Sequence, residues 1–181
     1  MSIYEVIGFF CQIVLLLLFA FAFVQKLRNH AAYERSVEGF ALLPRQWVTP
    51  LAWLATGVEG LIAILLLGGL LWNEVRLAGA LLALVVLLIF TGALISVVAR
   101  RLHVSCGCFG ADEHPVSAAS LVRNVGLIVC SVIAALPTFA IVSVIRYPLQ
   151  ALLLIALAAA TFVLLWSFLD EITLVLRPKT V

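Results

Sequence analysis

Long runs of apolar residues separated by short polar stretches dominate this sequence of 181 residues. The hydrocarbon core of a bilayer requires a helix of about 20 residues to cross it, and the runs reach that length. Because backbone groups in lipid must be hydrogen-bonded internally, the runs predict helices rather than strands. The five predicted membrane-spanning helices are Ile3–Val24, Val48–Leu71, Val75–Ala99, Val116–Leu136 and Leu149–Leu169. The predicted fold is an all-α integral membrane protein.

The composition agrees with this pattern, since 65% of the residues are hydrophobic and only 11% are charged. A soluble domain carries about 25% charged residues, so a soluble class is excluded. The first apolar run is expected to be an uncleaved anchor, because Lys26 and Arg28 follow the run instead of preceding it. The segment Lys26–Trp47 is polar and predicts a helix at the membrane interface, ended near Pro44.

The basic residues predict the orientation of the helices, because Lys and Arg near helix ends favour the cytoplasmic side. One side carries Lys26, Arg28, Arg35, Arg45, Arg100, Arg101, Arg177 and Lys179, and the other carries Arg76 and Arg146. We therefore expect a multi-pass protein of the inner (plasma) membrane with its N-terminus outside and its C-terminus in the cytoplasm. Topology accounts for the net charge of +2, so we expect a lipid membrane and no nucleic acid as partner.

Some polar side chains fall inside predicted spanning helices, among them Glu59, Arg123 and Asn124. Charges inside a membrane are costly and usually face a partner or a cavity. The depths of Glu59 and Arg123 allow an ion pair between them. Such a pair would either fix the order of the helices or line a cavity for a quinone or a substrate.

The segment Arg101–Pro115 concentrates the reactive side chains of the chain, and Cys106 and Cys108 lie one residue apart in it. Arg100 and Arg101 favour the thiolate form that acts as a nucleophile. A disulfide between residues i and i+2 is cramped, and strained disulfides exchange readily. The spacing therefore favours thiol–disulfide chemistry by Cys106 and Cys108, which makes an enzymatic role as an oxidoreductase component one interpretation.

Two other interpretations of this segment stay open. His103, Cys106, Cys108 and His114 could together bind zinc, copper or another soft metal such as mercury, as in a metal transporter or chaperone. The gap between the cysteines is shorter than the spacing of structural zinc sites. Alternatively, the segment is a plain turn in a structural membrane subunit, with no metal or other cofactor.

The remaining cysteines, Cys11 and Cys130, lie in the first and fourth predicted spanning helices. Both fall about 9–12 Å from the same face of the membrane at 1.5 Å per residue. They are candidates for a second thiol pair, although buried cysteine commonly serves as a small hydrophobic residue.

The sequence resembles the MauE family of methylamine utilisation membrane proteins, which are related to the DoxX-like four-helix proteins. The matching stretches are "FAFVQKLRN", "GFALLP", Glu59, "CGCFG" and "LVRN", which span about Phe19 to Cys130. The resemblance implies a DoxX-like four-helix transmembrane bundle over residues 1–145. Residues 146–181 then form an additional transmembrane helix and a short C-terminal tail.

The resemblance also implies a function. It points to a membrane component that works with a thioredoxin-like partner when disulfides form in an exported client protein, with Cys106 and Cys108 as the redox pair. A client outside the cell conflicts with the cytoplasmic loop that the charges predict. Either the loop relays electrons outward, through an outer thiol pair or a quinone, or the orientation is the reverse.

Overall fold

The computed structural model describes residues 2–39, 44–100, 118–136 and 148–167. This part of the chain forms α-helices and one short 3-10 turn (Arg45–Trp47), and it contains no strand. The helices are α1 (Ile3–Arg28), α2 (His30–Gly39), α3 (Val48–Gly68), α4 (Asn73–Ala99), α5 (Ala118–Ala135) and α6 (Leu149–Ser167). The prediction of an all-α protein is confirmed.

The five predicted spanning helices correspond to α1, α3, α4, α5 and α6, and α2 is the predicted interfacial helix. Three of these segments are long and apolar enough to cross a membrane, and the described parts of α5 and α6 are shorter apolar helices. Large apolar side chains cover the outer surface; Ile64, Ile89 and Leu154 are 68%, 67% and 69% exposed. Apolar surface of this extent belongs against lipid. The chain is a multi-pass membrane protein.

Helix α1 is the central element of the packing. It contacts α3 and α5, and α4 also contacts both α3 and α5, so these helices form a closed four-helix bundle. Helix α6 packs on the outside of the bundle against α1. The rings of Phe10 and Phe162 meet edge to face there, with centroids 5.7 Å apart. The side chains that fill the bundle core include Val14, Leu15, Leu18, Ile62, Leu66, Ala80, Ala83, Leu127 and Ala134.

Helix α1 begins with a capping box. The backbone N–H of Glu5 donates to Ser2 Oγ over 3.3 Å, and the Glu5 carboxylate accepts from the backbone N–H of Ser2 over 2.6 Å. The first N–H groups of a helix have no partner within it, and this exchange satisfies them. The cap therefore stabilises the first turn of α1.

The connection between α3 and α4 is tight because Gly69 lies against the backbone of Arg76. A Cβ atom at Gly69 would fall 2.6 Å from the Cα of Arg76. Arg76 is buried in the bundle next to this close approach and is 3% exposed. Its guanidinium Nη1 donates a hydrogen bond to the backbone carbonyl of Ala134. A cation is favourable at the C-terminal end of α5, where the last carbonyls lack donors within the helix.

Candidate functional site

A buried ion pair lies in the half of the bundle where α1 ends and α3 begins. Lys26, in the last turn of α1, donates from Nζ to Oε1 of Glu59 in the middle of α3. Lys26 is 1% exposed and Glu59 is 3% exposed. Charges taken out of water are stable only when they are well paired, so each of these residues depends on the other.

Two aromatic rings complete the surroundings of the Lys26 ammonium group. The Nζ atom lies 4.2 Å from the ring centroid of Tyr33 and 5.0 Å from that of Phe90. Ring faces attract cations within about 6 Å. Because Tyr33 belongs to α2 and Phe90 to α4, the Lys26 side chain connects four helices at this end of the bundle.

The second carboxylate oxygen of Glu59, Oε2, is not the one that accepts from Lys26. Within the described residues, Glu59 Oε2 is buried and has no hydrogen-bond partner. Glu59 lines a cavity of about 40 Å³. The side chains around the cavity include Phe19, Glu59, Phe90, Leu94, Ser120, Arg123, Asn124 and Leu127. A cavity of this size admits about one to three water molecules rather than a quinone ring.

Helix α5 contributes the other polar wall of this cavity. Arg123 is 7% exposed. Asn124 donates from Nδ2 to Thr91 Oγ1 over 3.3 Å, and the Thr91 hydroxyl donates to the Leu87 carbonyl over 2.7 Å. These contacts hold α5 against α4 and fix the rotation of α5. The structure therefore brings Glu59, Arg123 and Asn124, which we had singled out from the sequence, to one cavity.

The structure gives Glu59 a partner that the sequence analysis missed. The depths of the two residues had allowed an ion pair with Arg123, whereas the ion pair that the structure records for Glu59 is with Lys26, and Arg123 lines the same cavity. We had assigned Lys26 to the basic residues that set orientation. The available signal was its position in the last turn of an apolar helix, from which a four-carbon side chain reaches back into the bundle.

The cavity lies at the end of the bundle where the cysteine segment begins and ends. Phe90 and Leu94 belong to the last turns of α4, and Ser120 and Arg123 belong to the first turns of α5. The chain that joins these turns carries Cys106 and Cys108. Arg100 is exposed at the end of α4. Arg101, His103, Cys106, Cys108 and His114 lie outside the described residues, so the redox and metal interpretations of this segment stay predictions.

A second cluster lies in the opposite half of the bundle. Cys11 on α1 and Cys130 on α5 are neighbours across the interface of these two helices, and neither forms a disulfide. The structure thus brings together two cysteines that we had related by depth alone. Among the described residues, no group of three or more His, Cys, Asp and Glu side chains could hold a metal ion.

Comparisons with known proteins agree with the motifs found in the sequence. The family model "Methylamine utilisation protein MauE" matches residues 4–137, which include α1 to α5. Methylamine utilization protein MauE of Paracoccus denitrificans is 33% identical over 118 residues, or 64% of this chain. The match spans 61% of the length of that relative. No solved structure matches the chain. The chain therefore belongs to the MauE family of methylamine utilisation proteins.

Proposed function

We propose that this protein is a membrane thiol–disulfide redox component that exchanges disulfides with a thioredoxin-like partner during the maturation of exported proteins. The observation that carries the proposal is the pair Cys106 and Cys108, one residue apart, in the segment that joins α4 to α5. Membership in the MauE family supports a role of this kind.

The proposed reaction is thiol–disulfide exchange. A thiolate of the reduced partner attacks the disulfide between Cys106 and Cys108. A mixed disulfide forms with one of these cysteines, and the other is released as a thiolate. The second partner thiolate then attacks the mixed disulfide. The partner gains a disulfide, the loop gains two thiols, and two electrons and two protons pass from the partner to the loop. In the reverse direction, Cys106 is the attacking thiolate and Cys108 resolves the mixed disulfide.

The polar residues that line the cavity, Glu59, Arg123 and Asn124, and the Lys26 that pairs with Glu59 suit a role in this chemistry. Each exchange changes the protonation of the loop thiols, and an acidic side chain beside a water-sized cavity can take up or release a proton there. Glu59 lines such a cavity together with residues of the last turns of α4 and the first turns of α5, and its Oε2 has no hydrogen-bond partner among the described residues. We assign Glu59 this proton-handling role, while Lys26, Arg123 and Asn124 position the surrounding helices.

A redox titration of the purified protein tests the proposal. In a Cys11→Ser, Cys130→Ser variant, the loop cysteines are the remaining two of the four in the chain. The variant is equilibrated with glutathione buffers of increasing oxidation and then alkylated under denaturing conditions. We expect two thiols to disappear together as one two-electron step, and reduced bacterial thioredoxin to restore them.

Two results would contradict the proposal. One is a loop that stays fully alkylated in every buffer, which would show that Cys106 and Cys108 do not form a bond. The other is stoichiometric zinc or copper that survives washing and disappears in a Cys106→Ser variant, which would favour the metal interpretation.

A further inference from the structure

Cys11 on α1 and Cys130 on α5 are neighbours where these two helices pack together, and the exchange proposed for Cys106 and Cys108 does not involve them. Both thiols are free. Cys11 is 3% exposed, whereas Cys130 is partly exposed at the outer surface of the bundle. Two neighbouring thiols on adjacent helices are the arrangement from which an interhelix disulfide can form.

Two buried polar side chains, Gln12 and Ser131, follow these cysteines in the sequence and lie at the same level of α1 and α5. Gln12 and Ser131 are both 0% exposed. Gln12 Nε2 donates to the Leu66 carbonyl over 2.9 Å. Within the described part of the chain, however, Gln12 Oε1 and Ser131 Oγ have no hydrogen-bond partner. Buried polar groups without partners cost free energy, and inside a membrane they usually mark functional sites.

The position of this pair along α1 and α5 can be given from the helix rise. Cys130 lies 12 residues after Ala118, the first residue of α5, which is about 18 Å along the helix. Cys11 lies about 12 Å from the start of α1, and Cys130 about 8 Å from the end of α5. Both therefore belong to the half of the bundle opposite the end of α4 and the start of α5.

The surroundings restrict the class of oxidant that could act on the pair. Val129 and Val132, which flank Cys130 and Ser131, are 52% and 41% exposed on a face that contacts lipid. A soluble protein cannot reach this face. Separated charges are also costly in hydrocarbon, so an acceptor that takes electrons together with protons is favoured. Quinones dissolved in the membrane have this property.

We propose that Cys11 and Cys130 form a second redox couple, a dithiol that closes to an interhelix disulfide when a lipid-soluble quinone oxidises it. The sulfur–sulfur bond forms as the two S–H bonds break. The two electrons and two protons pass to the quinone, which becomes the quinol. This inference goes beyond the proposed loop chemistry and does not depend on it, because the pair can be tested with the loop cysteines removed.

The test uses a Cys106→Ser, Cys108→Ser variant in liposomes, which retains Cys11 and Cys130 as its two cysteines. A ubiquinone analogue with a short tail is added, and quinol formation is followed by absorbance. We expect one quinol per protein chain, loss of both alkylatable thiols after denaturation, and a disulfide-linked peptide pair in the mass spectrum. Adding Cys11→Ala or Cys130→Ala to this background should abolish all three signals.

A second oxidant separates bond formation from the choice of acceptor. Dipyridyl disulfide enters membranes and should release two thiopyridones per chain and leave no pyridyl adduct on the protein. Stable pyridyl adducts on both cysteines would overturn the couple. A bond that forms with dipyridyl disulfide but not with the quinone would overturn the quinone as its oxidant. Neither result bears on Cys106 and Cys108, so failure here is distinct from failure of the proposed function.

Discussion

Lys26 and Glu59, 33 residues apart in the sequence, form an ion pair in the interior of the bundle. The pair joins the end of α1 to the middle of α3, and a ring from α2 and a ring from α4 cover the ammonium group. It therefore links four helices at the end of the bundle that leads into the cysteine segment.

Replacing one member of this pair should destabilise the protein strongly. We expect Lys26→Met to lower the free energy of unfolding by about 3–5 kcal/mol, because Glu59 is left buried without its cation. Unfolding in mixed micelles of increasing SDS content measures this. The matched control is Lys26→Met combined with Glu59→Leu, which should recover most of the loss. Equal destabilisation in the single and double variants would contradict a pair held by charge.

Arg76 should contribute to stability through its contact with α5. In Arg76→Met, the Ala134 carbonyl loses its donor, and we expect a loss of about 1–3 kcal/mol. The comparison is Arg45→Met, which removes the exposed ion pair of Arg45 Nε with Glu38 Oε1 at 3.1 Å. Such exposed pairs contribute about 0–1 kcal/mol. If the two variants unfold alike, the Arg76 hydrogen bond has no measurable role.

The tight turn between α3 and α4 gives a steric prediction. Gly69→Ala would place its Cβ 2.6 Å from the Cα of Arg76, so the backbone of one helix must move. We expect a loss of about 1–3 kcal/mol, as for other overpacked sites. Gly92→Ala on α4 is the control, because a Cβ there meets nothing within 4 Å. It should leave stability unchanged or raise it by about 0.5–1 kcal/mol. A tolerated Gly69→Ala would mean that the two helices are not held this close.

The side of the membrane on which Cys106 and Cys108 lie can be decided by labelling. In a Cys11→Ser, Cys130→Ser variant, we expect a membrane-impermeant maleimide to leave the loop cysteines unlabelled in intact reduced cells. Labelling should appear after permeabilisation, because the distribution of basic residues predicts that this segment faces the cytoplasm. Labelling of intact cells would reverse the orientation and allow the loop to meet an exported client directly.

Hydropathy predicted the spanning helices well, because a run of apolar residues is a local property of the sequence. The start of α3 at Val48 and the end of α4 at Ala99 were predicted to the residue. The partner of Glu59 was not predicted, because whether the Lys26 side chain reaches Glu59 depends on how α1 packs against α3. Lys26 and Arg76 are both buried, although we had counted them among the basic residues that predict the orientation. Without them, the number of such basic residues falls by one on each side of the membrane.

The cysteines show the same division between local and long-range information. Residue counting placed Cys11 and Cys130 at similar depth, since the rise of a helix is constant. Depth alone does not decide which helices are neighbours, and the proximity of the two cysteines follows from the packing of α1 against α5. The hydrogen bond from Gln12 to the Leu66 carbonyl was likewise not foreseen, because it depends on the rotation of α1 towards α3.

Helix α1 carries Cys11 near one end and Lys26 near the other, about 22 Å apart along the axis. A continuous helix resists compression and bending over such a length, so it acts as a rigid rod between the two places. A sideways shift or a rotation of α1 at Cys11 would therefore also displace Lys26. One continuous helix thus holds the thiol pair and the buried ion pair at a fixed separation.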